Sequence, residues 1–511
     1  MGASNSHEMD YYQEPAWAAI LQYLIQSGQV HIISEEHDDS DEYSTARPPR
    51  VASRPNTSRL DKSEISLTTK EACGVGDKVS GGSGGGGGGL PMMLQRRELG
   101  STFSCGQRCK ISSNYLPNRM DQVAKYSSKA FCGSYSTDGK FFLTACQDKY
   151  LRLYKTDNGE FTEIKKISAR DVGWSILDTA FSPDGNYIVY SSWSENLYMC
   201  PIFGDSNTQE TLYLSPLERR FCIFSLVFSS DGREILCGGN DGFLYVYDRE
   251  CQQRVLRIEG HEDDVNSVSF ADNTSQILYS AGDDGLCKVW DRRMLSENDP
   301  HSVGILAGHM DGITFIDPRG DGRHLLTNSK DQTIKLWDVR AFSDHNGEMN
   351  TKKAVANQNW DYRWQRVPKR LYKTKNMLDG DTSIMTYRGH TVLQTLIRCH
   401  FSPAHTGQRY IYTGCGSGRV IIYDVLTGGI VKSLNGHKSC VRDVSWHPNY
   451  QEIISTSWDG GIGRWRYSGK SVSLDFPDCE EDSSDIESSQ PRTLRRSQRI
   501  AAQKAKNTTT C

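Results

Sequence analysis

The sequence predicts an all-β fold of seven similar units, and three observations support that prediction. Between about residues 120 and 470, a short β-rich run repeatedly closes on an aromatic residue: at Tyr154, near position 200, and at Tyr247, Trp290, Trp337, Tyr423 and Trp465. Successive closing aromatic residues are about 42 to 47 residues apart, except for one gap of 86. Two of these residues, Trp290 and Trp337, form a Trp-Asp pair with the Asp that follows. A period near 43 with a terminal Trp-Asp is typical of WD-repeat blades, so we predict a seven-bladed β-propeller.

Each unit is predicted to form four strands. Residues 255–291 illustrate the pattern, because the runs VLRIEGH, VNSVSF, QILYSAG and LCKVWD are separated by Gly, Asp and Asn turn residues. The last unit ends at its third strand, whereas residues 122–128 stand where a first outer strand would be. We therefore predict that this N-terminal strand completes the seventh blade. The long gap predicts an insertion at 341–386, between the fifth and sixth blades.

Three segments lie outside the predicted propeller at 120–470. Residues 1–33 contain a predicted amphipathic helix at 14–28, where apolar side chains recur at helical spacing: Trp17, Ile20, Leu21 and Leu24. Residues 34–119 are acidic and then rich in Ser and Gly, and we predict that they are mostly disordered. Residues 471–511 are predicted to form a disordered tail, acidic at first and basic at 492–506.

Composition restricts the class of protein. The 59 Lys and Arg against 63 Asp and Glu give a net charge of -4, so the whole chain is not an electrostatic nucleic-acid binder. The mean hydropathy is −0.58, and no apolar run approaches the roughly 18 residues that a membrane span needs. The 15 cysteines are scattered, which predicts reduced thiols in the nucleus and cytoplasm.

Two terminal motifs concern localisation. Residues 1–6 fit an N-myristoylation pattern at Gly2, but the acidic flank and the single acyl chain predict no stable membrane insertion. The basic stretch 492–506 is typical of a nuclear-import or nucleic-acid-binding segment, and it is equally typical of a solvated tail.

Repeated histidines are predicted to be structural. In three units a Gly-His precedes a hydroxyl residue, an Asp and the closing Trp, which gives the sets His261, Ser280, Asp284 and Trp290; His309, Thr327, Asp331 and Trp337; and His437, Ser455, Asp459 and Trp465. Because a buried His can bridge these polar groups, the pattern predicts a network that fixes each blade. The sequence shows no catalytic constellation and no metal or cofactor signature, so we predict a protein that is not an enzyme.

Two adjacent units end in a Trp-Asp-x-Arg box. The boxes are Trp290-Asp291-Arg292-Arg293 and Trp337-Asp338-Val339-Arg340. With these boxes, the segments ARDVGWSILDTAFSPDGN, HEDDVNSVSFAD, KDQTIKLWDVR, NQNWDYRWQRVPK and CVRDVSWHP resemble the WD-repeat substrate receptors of cullin-four RING ubiquitin ligases. The resemblance spans roughly residues 120–467.

The resemblance implies a substrate-recognition subunit that recruits target proteins for ubiquitination. It implies contact with the DDB-one-type adaptor, and through it with the cullin and RING subunits. The implied adaptor-binding residues are those of the two boxes, Trp290, Asp291, Arg293, Trp337, Asp338 and Arg340, together with Trp17, Leu21 and Leu24 of the N-terminal helix. In the alternative interpretation each Arg pairs with an Asp of its own blade, and the helix packs on its own propeller.

The insertion is the best candidate for contact with protein substrates. It contains Trp360, Tyr362, Trp364 and Arg366, a mixture enriched at protein interfaces. The same aromatic and basic residues also suit single-stranded nucleic acid, or the tryptophans could pack against a blade. The alternative function is therefore a WD-repeat scaffold of RNA or chromatin assemblies without a ligase.

Overall fold

A computed structural model describes residues 55–75, 90–100, 102–204, 208–214, 221–372 and 377–469. In this part of the chain the strands form seven antiparallel sheets of four strands each. The first strands of successive sheets contact one another and line the centre of a ring. The predicted seven-bladed propeller is therefore confirmed.

The first three blades follow one another along the chain. Blade one contains β2 (Ala130–Tyr135), β3 (Phe141–Cys146), β4 (Tyr150–Lys155) and β5 (Thr162–Ser168). Blade two contains β6 (Ile176–Phe181), β7 (Tyr187–Ser192), β8 (Asn196–Pro201) and β9 (Glu210–Tyr213). Blade three contains β10 (Ile223–Phe228), β11 (Glu234–Gly239), β12 (Phe243–Asp248) and β13 (Gln253–Glu259).

The next three blades repeat this arrangement. Blade four contains β14 (Val265–Phe270), β15 (Ile277–Gly282), β16 (Cys287–Asp291) and β17 (Gly304–Leu306). Blade five contains β18 (Ile313–Pro318), β19 (His324–Ser329), β20 (Thr333–Asp338) and β21 (Met385–Arg388). Blade six contains β22 (Cys399–Phe401), β23 (Tyr410–Gly414), β24 (Arg419–Asp424) and β25 (Ile430–Asn435).

Blade seven combines the two ends of the propeller. Its first three strands are β26 (Val441–Trp446), β27 (Glu452–Ser457) and β28 (Gly461–Arg466), and its outer strand is β1 (Arg119–Lys125). The register pairs Met120 with Trp465 and Ala124 with Ile462. The prediction that an N-terminal strand completes the last blade is confirmed, and this pairing closes the ring.

The alternating strand directions give the propeller two different faces. Loops that join the second strand of a blade to the third, and loops that lead from one blade into the next, lie on one face, which we call the front face. Third strands end on the opposite face, which we call the rear face. Both Trp-Asp-x-Arg boxes end a third strand, β16 and β20, so Arg293 and Arg340 emerge at equivalent places on the rear face.

The insertion lies within blade five, so its predicted place between blades five and six is wrong. It joins β20 to β21, the outer strand of the same blade, and it ends at Ile384 because Met385 already pairs with Leu336. It contains α4 (His345–Ala356) and a short 3-10 helix, Lys369–Tyr372. In blades one to four and in blade six the outer strand follows the third strand after a shorter loop. In blade five the loop is long, so the spacing of the repeats did not indicate that β21 still belongs to this blade.

The N-terminal segment contains α1 (Glu64–Ala72), α2 (Leu90–Glu98) and α3 (Cys105–Ser112). The prediction that residues 34–119 are mostly disordered is wrong for 55–75 and 102–118. Leu60 and Ile65 are fully buried in a cluster with side chains of blades five and six. Composition could not reveal this, because the propeller and not the segment supplies most of the apolar surface.

Two further observations concern the described residues. No disulfide joins the thirteen cysteines among them. None of their helices has the length and apolar character of a membrane span.

Candidate functional site

Three blades contain the histidine network that the spacing predicts. In blade five, His309 Nε2 lies 2.6 Å from Thr327 Oγ1, its Nδ1 lies 2.9 Å from Asp331, and Trp337 Nε1 donates to the same Thr327 hydroxyl at 2.7 Å. Burial alone would raise the pKa of Asp331, but His309 lowers it below the ordinary value. All four side chains are buried, so they fix the blade and are closed to a substrate.

Blades four and seven repeat the same geometry. The distances from the His rings to the hydroxyl oxygen are 2.7 Å in both blades, and the carboxylates lie 2.9 and 3.2 Å from Nδ1. The indole of each closing Trp donates to the same hydroxyl, at 2.9 and 2.7 Å. The residues are His261, Ser280, Asp284 and Trp290 in blade four, and His437, Ser455, Asp459 and Trp465 in blade seven.

Blade six uses different partners, which the repeat pattern did not predict. His390 Nδ1 lies 3.0 Å from the Tyr423 hydroxyl, and Nε2 lies 2.9 Å from Asn328 Oδ1 of blade five. Burial lowers the pKa of His390 to about 4, so the ring is neutral at neutral pH. Blade six is therefore fixed partly by a side chain of its neighbour.

On the rear face, each box arginine pairs with the aspartate of its own box. Arg293 Nε and Nη2 donate to Asp291 at 2.9 and 2.6 Å, and Arg340 donates to Asp338 at 3.3 and 3.2 Å. The hydrogen bond from Arg293 lowers the pKa of Asp291 to about 2. The Arg293 and Arg340 side chains remain 67% and 62% exposed, so donors of each guanidinium still face solvent.

The two box tryptophans are not surface residues. Trp290 and Trp337 are 2% and 0% exposed, and both belong to the histidine networks. The expectation that they contact an adaptor directly is wrong, because their rings are enclosed in the blades. They can only hold the third strand from which each arginine emerges.

The box of blade five has an additional neighbour. Glu64, the first residue of α1, forms an ion pair with Arg323 and lies 3.7 Å from Arg340 Nη2. Arg323 in turn donates to Asp338 at 2.8 Å. Residues 55–75 therefore border the Arg340 box, and no ion pair joins the described N-terminal residues to Arg293.

The insertion reaches the front face. Trp360 Nε1 donates to Asp311 Oδ2 at 2.9 Å, and the Lys330 ammonium lies 4.3 Å from the centre of the Tyr362 ring. Trp360 and Tyr362 are therefore anchored against blade five. The alternative in which both tryptophans pack against a blade holds for Trp360 and not for Trp364. Trp364 is 83% exposed and Arg366 is also exposed.

A cavity of about 550 Å³ opens on the front face at the centre of the ring. The insertion contributes one part of its rim with Trp360, Asp361, Tyr362 and Arg363. Aromatic side chains from blades one to three line one side, namely Phe131, Trp174, Trp193 and Phe224. Aspartates line the other, namely Asp263, Asp264, Asp283, Asp311 and Asp361.

Sequence reasoning missed most of these cavity residues. Trp174 lies in the loop that leads into β6, and Trp193 lies in the loop between β7 and β8. An exposed tryptophan in each of two front-face loops was a usable signal. One sequence does not reveal which loops converge, so the two tryptophans could not be assigned to a common site.

Burial and crowding perturb the cavity carboxyls. Burial, followed by the charges of Asp283 and Asp263, raises the pKa of Asp264 to about 7. Burial also raises the pKa of Asp311 to about 6. Two of the aspartates are neutralised, since Lys330 Nζ lies 2.7 Å from Asp283 and Arg363 Nη2 lies 2.9 Å from Asp361.

A buried arginine links three blades at the centre of the ring. Arg398, which precedes β22 of blade six, donates to Asp178 of blade two at 2.6 Å and to Asp443 of blade seven at 3.1 Å. Because a buried charge needs a partner, this bridge holds opposite sides of the ring together.

Comparison with known proteins places the chain in a family. The WD domain, G-beta repeat family matches residues 218–248, 252–291, 300–338 and 428–466. The DDB1- and CUL4-associated factor 11 homolog of Caenorhabditis elegans is 41% identical over 398 residues, which cover 74% of this chain and 69% of that protein. The chain belongs to the family of DDB1- and CUL4-associated factor 11 homologues.

Two other relatives are similar to this chain over most of its length. The DDB1- and CUL4-associated factor 11 homolog of Caenorhabditis briggsae is 38% identical over 79% of this chain and 74% of its own length. The LEC14B homolog of Prunus armeniaca is 42% identical over 72% of this chain and 78% of its own length. The structure gives the chain two candidate interaction surfaces, the rear-face boxes and the front-face cavity.

Four of the predicted site residues lie outside the part that the structure describes, as does the whole predicted helix at 14–28. The four residues are Gly2, Trp17, Leu21 and Leu24. The basic stretch 492–506 lies outside it too. The roles predicted for all of them stay predictions.

Proposed function

We propose that the chain is the substrate-recognition subunit of a cullin-four RING ubiquitin ligase. The observation that carries this proposal is the 41% identity with a relative named as a DDB1- and CUL4-associated factor, over 69% of that relative. The two box arginines, exposed at equivalent places on one face, support it. The chain would bind and position proteins, and the transfer of ubiquitin would occur on other subunits.

In the proposed mechanism the rear face binds the adaptor. A guanidinium has five N–H donors, and the pairing with Asp291 or Asp338 occupies only part of this set. The remaining donors of Arg293 and Arg340 can bind carboxylates or carbonyl oxygens of a partner. The pairing within each box, which is shorter for Arg293 than for Arg340, restricts the orientation of the arginine and so reduces the entropy lost on binding.

The decisive experiment replaces both box arginines in the full-length chain. We expect Arg293→Ala with Arg340→Ala to lower recovery of the DDB1 adaptor from cells by about tenfold, since each exposed charge-assisted contact contributes on the order of 1 kcal/mol. Arg363→Ala is the matched control, because Arg363 is 61% exposed and also pairs with its own neighbouring aspartate, but lies at the front-face cavity.

The outcomes distinguish the receptor function from the proposed contact through the box arginines. If wild-type protein recovers no adaptor under mild conditions, the receptor function is wrong. If the double variant recovers as much adaptor as Arg363→Ala, the boxes are not the contact. The pair Trp17→Asp and Leu21→Asp then tests the N-terminal helix as the alternative site.

A further inference from the structure

The aromatic side of the front-face cavity is a continuous wall of rings. Phe131 and Trp174 have ring centres 5.2 Å apart, Trp174 and Trp193 are 6.3 Å apart, and Trp193 and Phe224 are 5.9 Å apart. Each pair meets edge to face. Trp174 and Trp193 are 47% and 45% exposed, so the wall presents indole surface to whatever enters the cavity.

The opposite side of the cavity carries carboxylates without a cation of their own. Lys330 and Arg363 pair with Asp283 and Asp361. In the part of the chain that the structure describes, no ion pair involves Asp263 or Asp264. The Asp263 carboxylate accepts the backbone N–H of Asp264 at 2.9 Å. Arg442 also lines the cavity, but it donates to the backbone oxygens of Phe131 and Leu177. Five aspartates therefore face three cationic side chains, and the cavity retains a net negative charge.

We propose that this cavity binds a lysine or arginine side chain of a target protein. An indole face attracts a cation, and a carboxylate opposite it supplies the counter-charge. In this arrangement the cation lies against Trp174 or Trp193 and faces Asp263 and Asp264. The excess of carboxylates repels phosphate, so the cavity is built for a basic peptide and not for nucleic acid. Its interpretation as a substrate site rests on the proposed receptor function.

The test measures binding of a defined cation to the purified full-length chain. The probe is a fluorescein-labelled peptide, Gly-Ser-Gly-Arg-Gly-Ser-Gly, compared with the same peptide carrying citrulline, which keeps the shape of arginine and removes its charge. Anisotropy is measured at pH 8, above the raised pKa of Asp264 of about 7. The six basic residues of 492–506 are replaced by Gln so that they do not compete for the cavity.

We expect the arginine peptide to bind at least about tenfold more tightly than the citrulline peptide, because only the charged side chain gains the cation–π contact and the attraction of the carboxylate. Asp264→Asn and Trp193→Leu should each weaken arginine binding several-fold and leave the citrulline peptide unaffected. The control is Asp299→Asn, which makes the same charge change at a highly exposed position in the loop after β16, on the rear face.

Equal affinity for the arginine and citrulline peptides would overturn the proposal. Equal loss in Asp264→Asn and Asp299→Asn would also overturn it, because a diffuse negative field and not the cavity would then attract the cation. Adaptor recovery is measured for the same variants. Normal recovery with no arginine preference rejects the cavity assignment alone, whereas an arginine preference without any adaptor recovery rejects the receptor function alone.

Discussion

His400 is a partly buried histidine that the repeat pattern does not explain. It belongs to blade six, and its Nδ1 lies 3.1 Å from Asp317 of blade five while Nε2 lies 3.8 Å from Asp443 of blade seven. Burial alone would lower the pKa of His400, but Asp317, and then Asp443, raise it to about 9. The imidazolium therefore joins three blades at neutral pH.

This pKa predicts a pH-dependent contribution to stability. A folded-state pKa above the unfolded value of 6.5 stabilises the fold fully below pH 6.5, and the contribution is lost as pH rises towards 9. His400→Gln should therefore reduce the free energy of unfolding by about 3 kcal/mol more at pH 6 than at pH 9.5. Denaturant unfolding at both pH values measures this difference.

The control for His400 is His301→Gln, because the His301 side chain is 81% exposed. This variant should have the same effect on stability at both pH values. A His400→Gln effect that is equally constant with pH would contradict the prediction, since it would show that folding does not raise the pKa of the His400 ring.

The histidines also show which contacts the spacing of residues within one repeat can predict. The networks of blades four, five and seven were predictable because every member lies within one repeat at fixed offsets. His390 and His400 bind Asn328 and Asp317, which are 62 and 83 residues away in a neighbouring blade. Such partners follow from the packing of blades, which no offset within one repeat encodes.

At the scale of elements, α1 is the clearest addition to the predicted fold. Ile65 is fully buried among side chains of blades five and six, whereas Leu67 of the same helix is 63% exposed. Arg319 of blade five also donates to the hydroxyl groups of Thr68 and Thr69. The helix is short, so its stability comes from this packing and not from its own propensity.

We expect Ile65→Ala to destabilise the docked segment by about 2–4 kcal/mol, because it removes buried methyl groups and leaves a cavity. Hydrogen exchange of the amides in residues 55–75 measures the loss as faster exchange. Leu67→Ala is the control, since it shortens an exposed side chain of the same helix. Equal exchange rates in the two variants would contradict the packing described here.

The path of the insertion between β20 and β21 is the second feature of this size that the sequence did not predict. The length and aromatic content of the insertion were predictable, but its course was not. The ion pair between Lys352 of α4 and Glu262 and the hydrogen bond from Trp360 to Asp311 lead the chain from the rear face to the front face. Only the folded ring brings these partners together, which is why the sequence did not predict that the insertion forms part of the cavity rim.

At the scale of the whole molecule, the ring depends on one strand. β1 joins β28 across about 340 residues of sequence, and it is the outer strand of the only blade in the described propeller that two distant segments share. Met120 packs on the apolar cluster that contains Trp465, and Val123 packs on the cluster that contains Ile462. Both side chains are partly buried, so β1 is held by apolar contacts and by its ladder with β28.

Ring closure predicts that weakening β1 destabilises blades far from the substitution. Met120→Asp with Val123→Asp should lower the free energy of unfolding by about 3–6 kcal/mol, since two partly buried apolar groups and their strand contacts are lost. The matched control places Asp at Ile164 and Tyr213, which are exposed on the outer strands β5 and β9 of blades that close on themselves.

Hydrogen exchange distinguishes local fraying from loss of the ring. In the β1 variant the amides of β28 should exchange faster, and so should those of β2, because blades seven and one pack through β26 and β2. If only β28 responds while β2 and the unfolding midpoint match the control, the blades are stable without closure. The ring would then be a chain of independent sheets, and the fixed spacing of Arg293 and Arg340 would need another source of rigidity.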